Sequence, residues 1–272
     1  MFKEQTFDAG EVSISYAEGP PSGPPLVMLH GITTWWQTFL PVAPWLMMRY
    51  HIYALDLRGH GRSSRTPGEY FIRNYAEDTV SFLREQVSEP AFLLGWSLGA
   101  MASIVAAATA PEQVRAIVLE DPPLNELVRE PDEGRVAGVV EHFDVLRRVI
   151  ASGDSREERL AELATVQPGD DDALLRRRLR QLDLCDPETL TFVTERKYAD
   201  SNTLEELLPK INCPVLLIKT NPNNALSTEH AELSDSLLAD ATQVTLSDVG
   251  HNIHSAQPSM YSRIVGDFLE SI

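Results

Sequence analysis

A serine at the centre of Gly95-Trp96-Ser97-Leu98-Gly99 and a histidine in Gly250-His251 are the residues whose setting points to chemistry. A serine hydroxyl is a weak nucleophile at neutral pH, so it needs a base to take its proton. An imidazole base in turn needs an anionic group to fix its tautomer and stabilise the imidazolium. The apolar run Phe92-Leu93-Leu94 precedes Ser97 and an alanine-rich segment to Ala110 follows it. This predicts a buried strand that turns abruptly into a helix and lifts the serine onto the bend. Glycines at 95 and 99 suit that bend, where a Cβ would meet neighbouring backbone. The bland alternative is a Gly/Ser turn without chemistry. His251 follows directly on the last predicted strand, Gln243 to Leu246, in a loop where open sheets place their sites. His254, three residues on, is a candidate pocket residue, whereas His60, His142 and His230 read as solvated surface or turn residues.

The elements that must position these groups follow from periodicity. Val12, Ile14 and Tyr16 alternate with polar residues as in a half-buried strand, while Leu26–Leu29, Ile52–Leu55, Phe92–Leu94, Val114–Leu119 and Pro214–Ile218 are apolar runs typical of strands buried on both faces. Ala76, Val80, Leu83 and Val87 recur at helical spacing, a further helix is expected from about Ser227 to Leu238, and another starts at Pro258. Strands alternating with helices predict crossover units and a mainly parallel sheet. Between Pro123 and about Leu208 the strand-like runs vanish and helical periodicity takes over, with Val136, Val140, Phe143, Arg147 and Ile150 on one stripe. This reads as an inserted, all-helical subdomain at 123–208, without an obvious core of its own, in a core domain formed by 1–122 and 209–272.

Composition narrows the partners. With 272 residues the chain can bury one substantial core plus an insertion. Its net charge of -17 argues against nucleic acid or an anionic membrane, which would be repelled at long range. Cys185 and Cys213 alone make no disulfide framework, no run approaches the roughly 20 apolar residues of a membrane span, and Met1-Phe2-Lys3-Glu4-Gln5 does not begin a secretory signal. A cytoplasmic protein with a small-molecule substrate, no cofactor and no metal is expected, with homodimerisation left open.

Taken together, His30-Gly31 after a buried strand, Asp56-x-Arg58-Gly59-x-Gly61-x-Ser63, the Gly95–Gly99 bend and Gly250-His251 resemble the α/β-hydrolase family. The resemblance covers the chain apart from the helical insertion, where that family carries its cap or lid. It implies an oxyanion hole from the backbone N–H groups of Leu98 and Ile32. The commonest position for the acid, after the strand before last, holds Lys219-Thr220-Asn221-Pro222-Asn223-Asn224-Ala225, with no carboxylate. A minority of the family, including haloalkane dehalogenases and zearalenone lactonases, carries the acid after the strand that follows the nucleophile helix. Glu120 and Asp121 occupy that place here, Asp121 at an offset from Ser97 similar to the lactonases, and Asp121 is the assigned acid with Glu120 in reserve.

Trp35, Trp36, Phe39, Trp96, Met101 and Leu124 cluster in sequence near the nucleophile and oxyanion loops, which suggests an apolar pocket. Arg176-Arg177-Arg178 reads first as a solvated helix face and second as a grip for an acidic substrate. The leading expectation is a serine hydrolase acting on a small, mostly apolar ester or lactone under a cap. A carbon-carbon bond hydrolase, a cofactor-free lyase and a ligand-binding receptor are alternatives on the same fold.

Overall fold

The apolar runs become the strands of one eight-stranded sheet in a computed structural model that describes residues 2–87, 89–123, 133–195, 204–220 and 241–272. The strands are β1 (Lys3–Asp8), β2 (Ser13–Glu18), β3 (Pro25–Leu29), β4 (His51–Leu55), β5 (Ala91–Trp96), β6 (Val114–Glu120), β7 (Val215–Thr220) and β8 (Thr242–Leu246), in the order β1-β2-β4-β3-β5-β6-β7-β8. β1 and β2 pair antiparallel with their neighbours and all later pairs are parallel. A parallel sheet must be covered on both faces, and β3 and β5 are buried at every position. Alternate residues serve alternate faces. Leu29, Leu93, Leu119 and Leu217 pack with α2 (Ile72–Phe82) and α3 (Leu98–Thr109). Met28, Leu94, Val118 and Ile218 pack with α1 (Ala43–Leu46), and with α9 (Ile253–Ala256) and α10 (Pro258–Glu270) at the end of the chain. β2 differs from the half-buried expectation. Ser15 is buried too, and its N–H donates to Ser63 Oγ (2.8 Å) in the loop after β4.

Between β6 and β7 lie α4 (Glu133–Ala151), α5 (Arg156–Val166), α6 (Asp172–Leu182) and α7 (Pro187–Thr194). Side chains fix three of their starts: Ser155 with Glu158 forms a capping box, and Asp171 and Asp186 accept N–H groups of the first turn. These helices have a small apolar centre that the sequence did not suggest, built from Val149, Leu163, Leu179 and Leu190 with their neighbours. Each supplies one to three of the buried residues, so the cluster emerges when the helices meet. They are tied to the sheet through the loop after β4, where Asp186 N–H donates to the Gly59 carbonyl (2.8 Å) and Tyr70 Oη donates to Asp186 Oδ2 (2.7 Å). By α8 (Leu204–Leu207) the chain is back in the sheet's own core, with Leu207 and Leu208 buried there. Among the described residues no helix is long and apolar enough to cross a membrane.

The Asp56–Ser63 stretch is a structural knot. Asp56 accepts the N–H groups of Trp36 and Arg62 (both 2.9 Å), and Arg58 meets Asp78 through two hydrogen bonds of 2.7 and 2.6 Å in a buried pair. Burial pushes the Asp56 carboxyl up to about 6. His60, expected to be solvated, is fully buried against His30 with ring centroids 5.1 Å apart. His30 Nε2 accepts from Leu57 N–H (2.9 Å), so its proton sits on Nδ1, 2.8 Å from the Gly31 carbonyl. His60 donates Nδ1–H to the Arg58 carbonyl (2.9 Å) and its Nε2 has no partner. A second proton there would be buried without an acceptor, and burial lowers His60 to about 4.

That depression has a sign. The unfolded imidazole takes up its proton near pH 6.5 while the folded one stays neutral, so this stability is present above 6.5 and is lost as pH falls toward 4. Asp56, raised in the fold, acts in the opposite sense, so the informative measurement is a difference between variants. Chemical denaturation at pH 7 and 5 is expected to show His60→Asn losing about 2 kcal/mol less than wild type over that interval.

Candidate active site

Ser97 sits between β5 and α3 with φ 52° and ψ −111°, a conformation that costs a non-glycine residue about 1–3 kcal/mol. The surroundings hold it there. Its N–H donates to the Glu120 carbonyl (3.0 Å), and its own carbonyl accepts from Ala100 (3.0 Å) and Met101 (3.1 Å). A Cβ on Gly95 would run into the Gly99 backbone, and one on Gly99 into the Leu29 carbonyl, so α3 starts hard against β3. Leu98 is the first residue of α3, whose opening N–H groups lack intrahelical partners. Among the described residues no hydrogen bond takes up the Leu98 or Ile32 N–H.

His251 lies in the loop after β8 and its Nδ1 is 2.6 Å from Asp121 Oδ2. The carboxylate accepts, so Nδ1 carries the proton and Nε2 is left as a base. Asp121, just beyond β6, is 1% exposed and has φ 41°. Its other oxygen accepts from Thr220 N–H (3.1 Å) and Thr220 Oγ1 (3.3 Å) at the end of β7, so this strand end orients the carboxylate from its neighbour. Sequence reading passed over Thr220. Its signal was a hydroxyl at the end of an apolar run, followed in sequence by Asn221 to Ala225, which include no carboxylate. Asn221 to Ala225, the predicted Ser227–Leu238 helix and His230 lie outside the described residues.

Glu120 faces away from His251. It accepts the backbone N–H of His254 (2.9 Å) and lies 2.7 Å from its Nδ1, both side chains fully buried. His254 Nε2 reaches Thr38 Oγ1 at 3.1 Å, and Phe39 lies against the ring. His254 therefore does not line the cavity: the turn of α9 carries it into the core, and its loop partner His251 alone faces out. Trp36 also turns away, with Nε1 donating to Glu4 Oε1 (3.2 Å) and its ring beside Phe2. Trp35 is half-buried outside the cavity wall, and Met101 is buried in the sheet core. Leu124 lies outside the described residues. Trp96 does line the cavity, and its Nε1 donates to the His251 carbonyl at 2.9 Å, holding the loop.

Ser97, His251, Ile32 and Trp96 share one cavity of about 580 Å³, walled on the opposite side by helices α4 to α6. Phe143, Leu146, Leu163 and Leu174 make that wall apolar, while Gln167, Gln181, Arg177 and Arg178 add polar groups, as does His142, which was expected to be solvated. Among the described residues no group of three or more His, Cys, Asp or Glu side chains converges as a metal site requires.

The pattern of the alpha/beta hydrolase fold matches residues 24–258. The chain belongs to the α/β-hydrolase family. This α/β-hydrolase is 24% identical over 277 residues to 2-(acetamidomethylene)succinate hydrolase of Mesorhizobium japonicum, covering 99% of this chain and 96% of that one. It is 25% identical to pimeloyl-[acyl-carrier protein] methyl ester esterase of Neisseria meningitidis, covering 90% and 76%. Among solved structures, E-2-(acetamidomethylene)succinate hydrolase matches with a TM-score of 0.77 at 25% identity over 99% of this chain and 100% of that one. A bacterial membrane phospholipase A matches with 0.80 at 26%, over 99% and 86%. The chain is therefore an enzyme of the hydrolase class.

The two adjacent carboxylates are expected to behave oppositely. Glu120→Gln weakens the acceptor of a buried histidine and should lower unfolding free energy by about 2–3 kcal/mol, with turnover changed less than about tenfold. Asp121→Asn leaves stability within about 1 kcal/mol and lowers turnover by about 10^4, the effect of losing charge and tautomer control together. Denaturation and steady-state kinetics on the same two preparations check both.

Proposed function

We propose that this enzyme is a serine hydrolase that cleaves a small carboxylic ester or lactone through Ser97, His251 and Asp121. The observation that carries the reading is the 2.6 Å contact between His251 Nδ1 and buried Asp121, at a cavity that also exposes Ser97 on its strained bend. Ser97 Oγ attacks the carbonyl carbon as His251 Nε2 takes its proton. The tetrahedral oxyanion is met by the N–H groups of Leu98 and Ile32, donors aimed at charge that develops only in the transition state. The intermediate collapses as the imidazolium gives its proton to the departing alkoxide, leaving an acyl-enzyme. Water, deprotonated by the same imidazole, then attacks and releases the acid.

Helices α4 to α7 act as a cap in this scheme. Ile32 packs its side chain on their apolar cluster while its N–H serves the oxyanion, so the cap also steadies the loop that bears the donor. The relatives' names agree with the reaction class, since they include an ester esterase and hydrolases. A serine at the bend in place of an aspartate opposes haloalkane dehalogenase chemistry.

Ser97→Ala should abolish turnover and covalent labelling by a fluorophosphonate while leaving the melting temperature within a few degrees, because the lost hydroxyl opens no large cavity. A panel of esters, lactones and diketones tested on both proteins checks this. Retention of more than a few per cent of the wild-type rate on every substrate found would remove Ser97 from the mechanism.

A further inference from the structure

The Arg176-Arg177-Arg178 run splits between two faces of α6. Arg176 Nε pairs with Asp172 at 2.7 Å, four residues earlier on the solvent side. Leu174, Arg177, Arg178 and Gln181, at helical spacing i, i+3, i+4 and i+7, all line the cavity that holds Ser97. Arg178 pairs with Asp170 at the rim. Arg177 has no ion-pair or hydrogen-bond partner among the described residues. The chain has 40 acidic residues against 23 basic, yet no Asp or Glu is among the described residues of the cavity wall. Besides His251 and the two arginines, the wall carries His142, which burial, with the Arg178 charge adding to it, holds below the ordinary imidazole range. At neutral pH the charge of the cap wall is therefore positive, in a protein whose overall field repels anions.

We propose that the cavity takes a substrate with a free carboxylate distant from the scissile carbonyl, held by Arg177 on the cap wall: a half-ester of a small dicarboxylic acid or a carboxylated lactone. The proposal rests on the serine hydrolase reading for the bond that breaks, and on the split of α6 for the anion. A guanidinium offers two parallel N–H donors that match the two oxygens of a carboxylate. Gln181, one turn further on the same face, offers an amide to the same group. Arg178 adds to the field, with its own side chain committed to Asp170.

The test compares monomethyl half-esters of four- to six-carbon dicarboxylic acids with the corresponding dimethyl esters, in turnover and in calorimetric binding to the Ser97→Ala protein. The wild type is expected to favour the half-ester in kcat/KM, and Arg177→Gln to cut that ratio by about 10- to 100-fold, mainly through KM, the range for a charged hydrogen bond. Arg176→Gln, on the solvent face, should leave the ratio within about twofold. In the Ser97→Ala background the half-ester should bind more tightly than the diester, and adding Arg177→Gln should remove the difference. Arg177-dependent binding without hydrolysis of either ester by wild type would support the anion site and remove the serine hydrolase reading. Ser97-dependent hydrolysis of the diester, with the half-ester neither preferred nor bound more tightly, would overturn the anion site and leave the hydrolase reading standing. An Arg177→Gln effect equal on both esters would overturn it as well.

Discussion

Two carboxylates that leave β6 in opposite directions hold the site together. Glu120 is the last residue of β6 and Asp121, with φ 41°, lies just beyond it, and the two side chains leave toward different histidines. Glu120 reaches His254 inside the core and Asp121 reaches His251 at the cavity. The loop after β8 is thus pinned twice to one central strand, once by a buried dyad and once by the contact that gives His251 its orientation. Trp96 adds a third tie through the His251 carbonyl, and Thr220 secures Asp121 from β7. Four consecutive neighbours in the sheet, β5 to β8, therefore converge on one imidazole. Displacing any of them would move the contact between His251 and Asp121.

The same economy governs the bend at Ser97. Ser97 is strained only because α3 starts against β3, and that approach depends on two missing Cβ atoms, at Gly95 and Gly99. The strain is sustained by the most deeply buried part of the sheet, where β3 and β5 are buried at every position. The opposite wall of the cavity is different in kind. It is built from amphipathic helices with a modest cluster of their own, and its polar groups are amides, arginines and a histidine. Function lives in sites grafted onto a common fold, and a rigid scaffold leaves the segments around it free to vary.

Much of the sheet was legible because burial on both faces writes itself into sequence as unbroken apolar runs, and the Ser97 bend because its glycines mark a steric requirement. The Asp121 position was legible from an absence, the lack of a carboxylate after β7, together with its presence after β6. His254 and Trp36 misled for a common reason. Proximity in sequence to a reactive residue says nothing about which way a side chain leaves the backbone, and a single helical turn sends His254 inward while His251 faces out. His60 misled because glycine-rich turns are usually solvated, whereas this one is covered by its own neighbours and by the segment around Cys185.

The sequence by itself determined the local events: where strands run, where the chain must bend sharply, which helices begin at Ser155, Asp171 and Asp186, and which residue types are available as nucleophile, base and acid. Those depend on steric and hydrogen-bonding rules that act over a few residues. Only the tertiary structure decided which of two adjacent acids meets His251, that Thr220 supports it, and that two of three consecutive arginines turn toward the cavity. Each of those outcomes depends on how elements far apart in the chain pack against one another, and a rotation of about 100° per helical residue or 180° per strand residue separates a wall of the site from solvent or core.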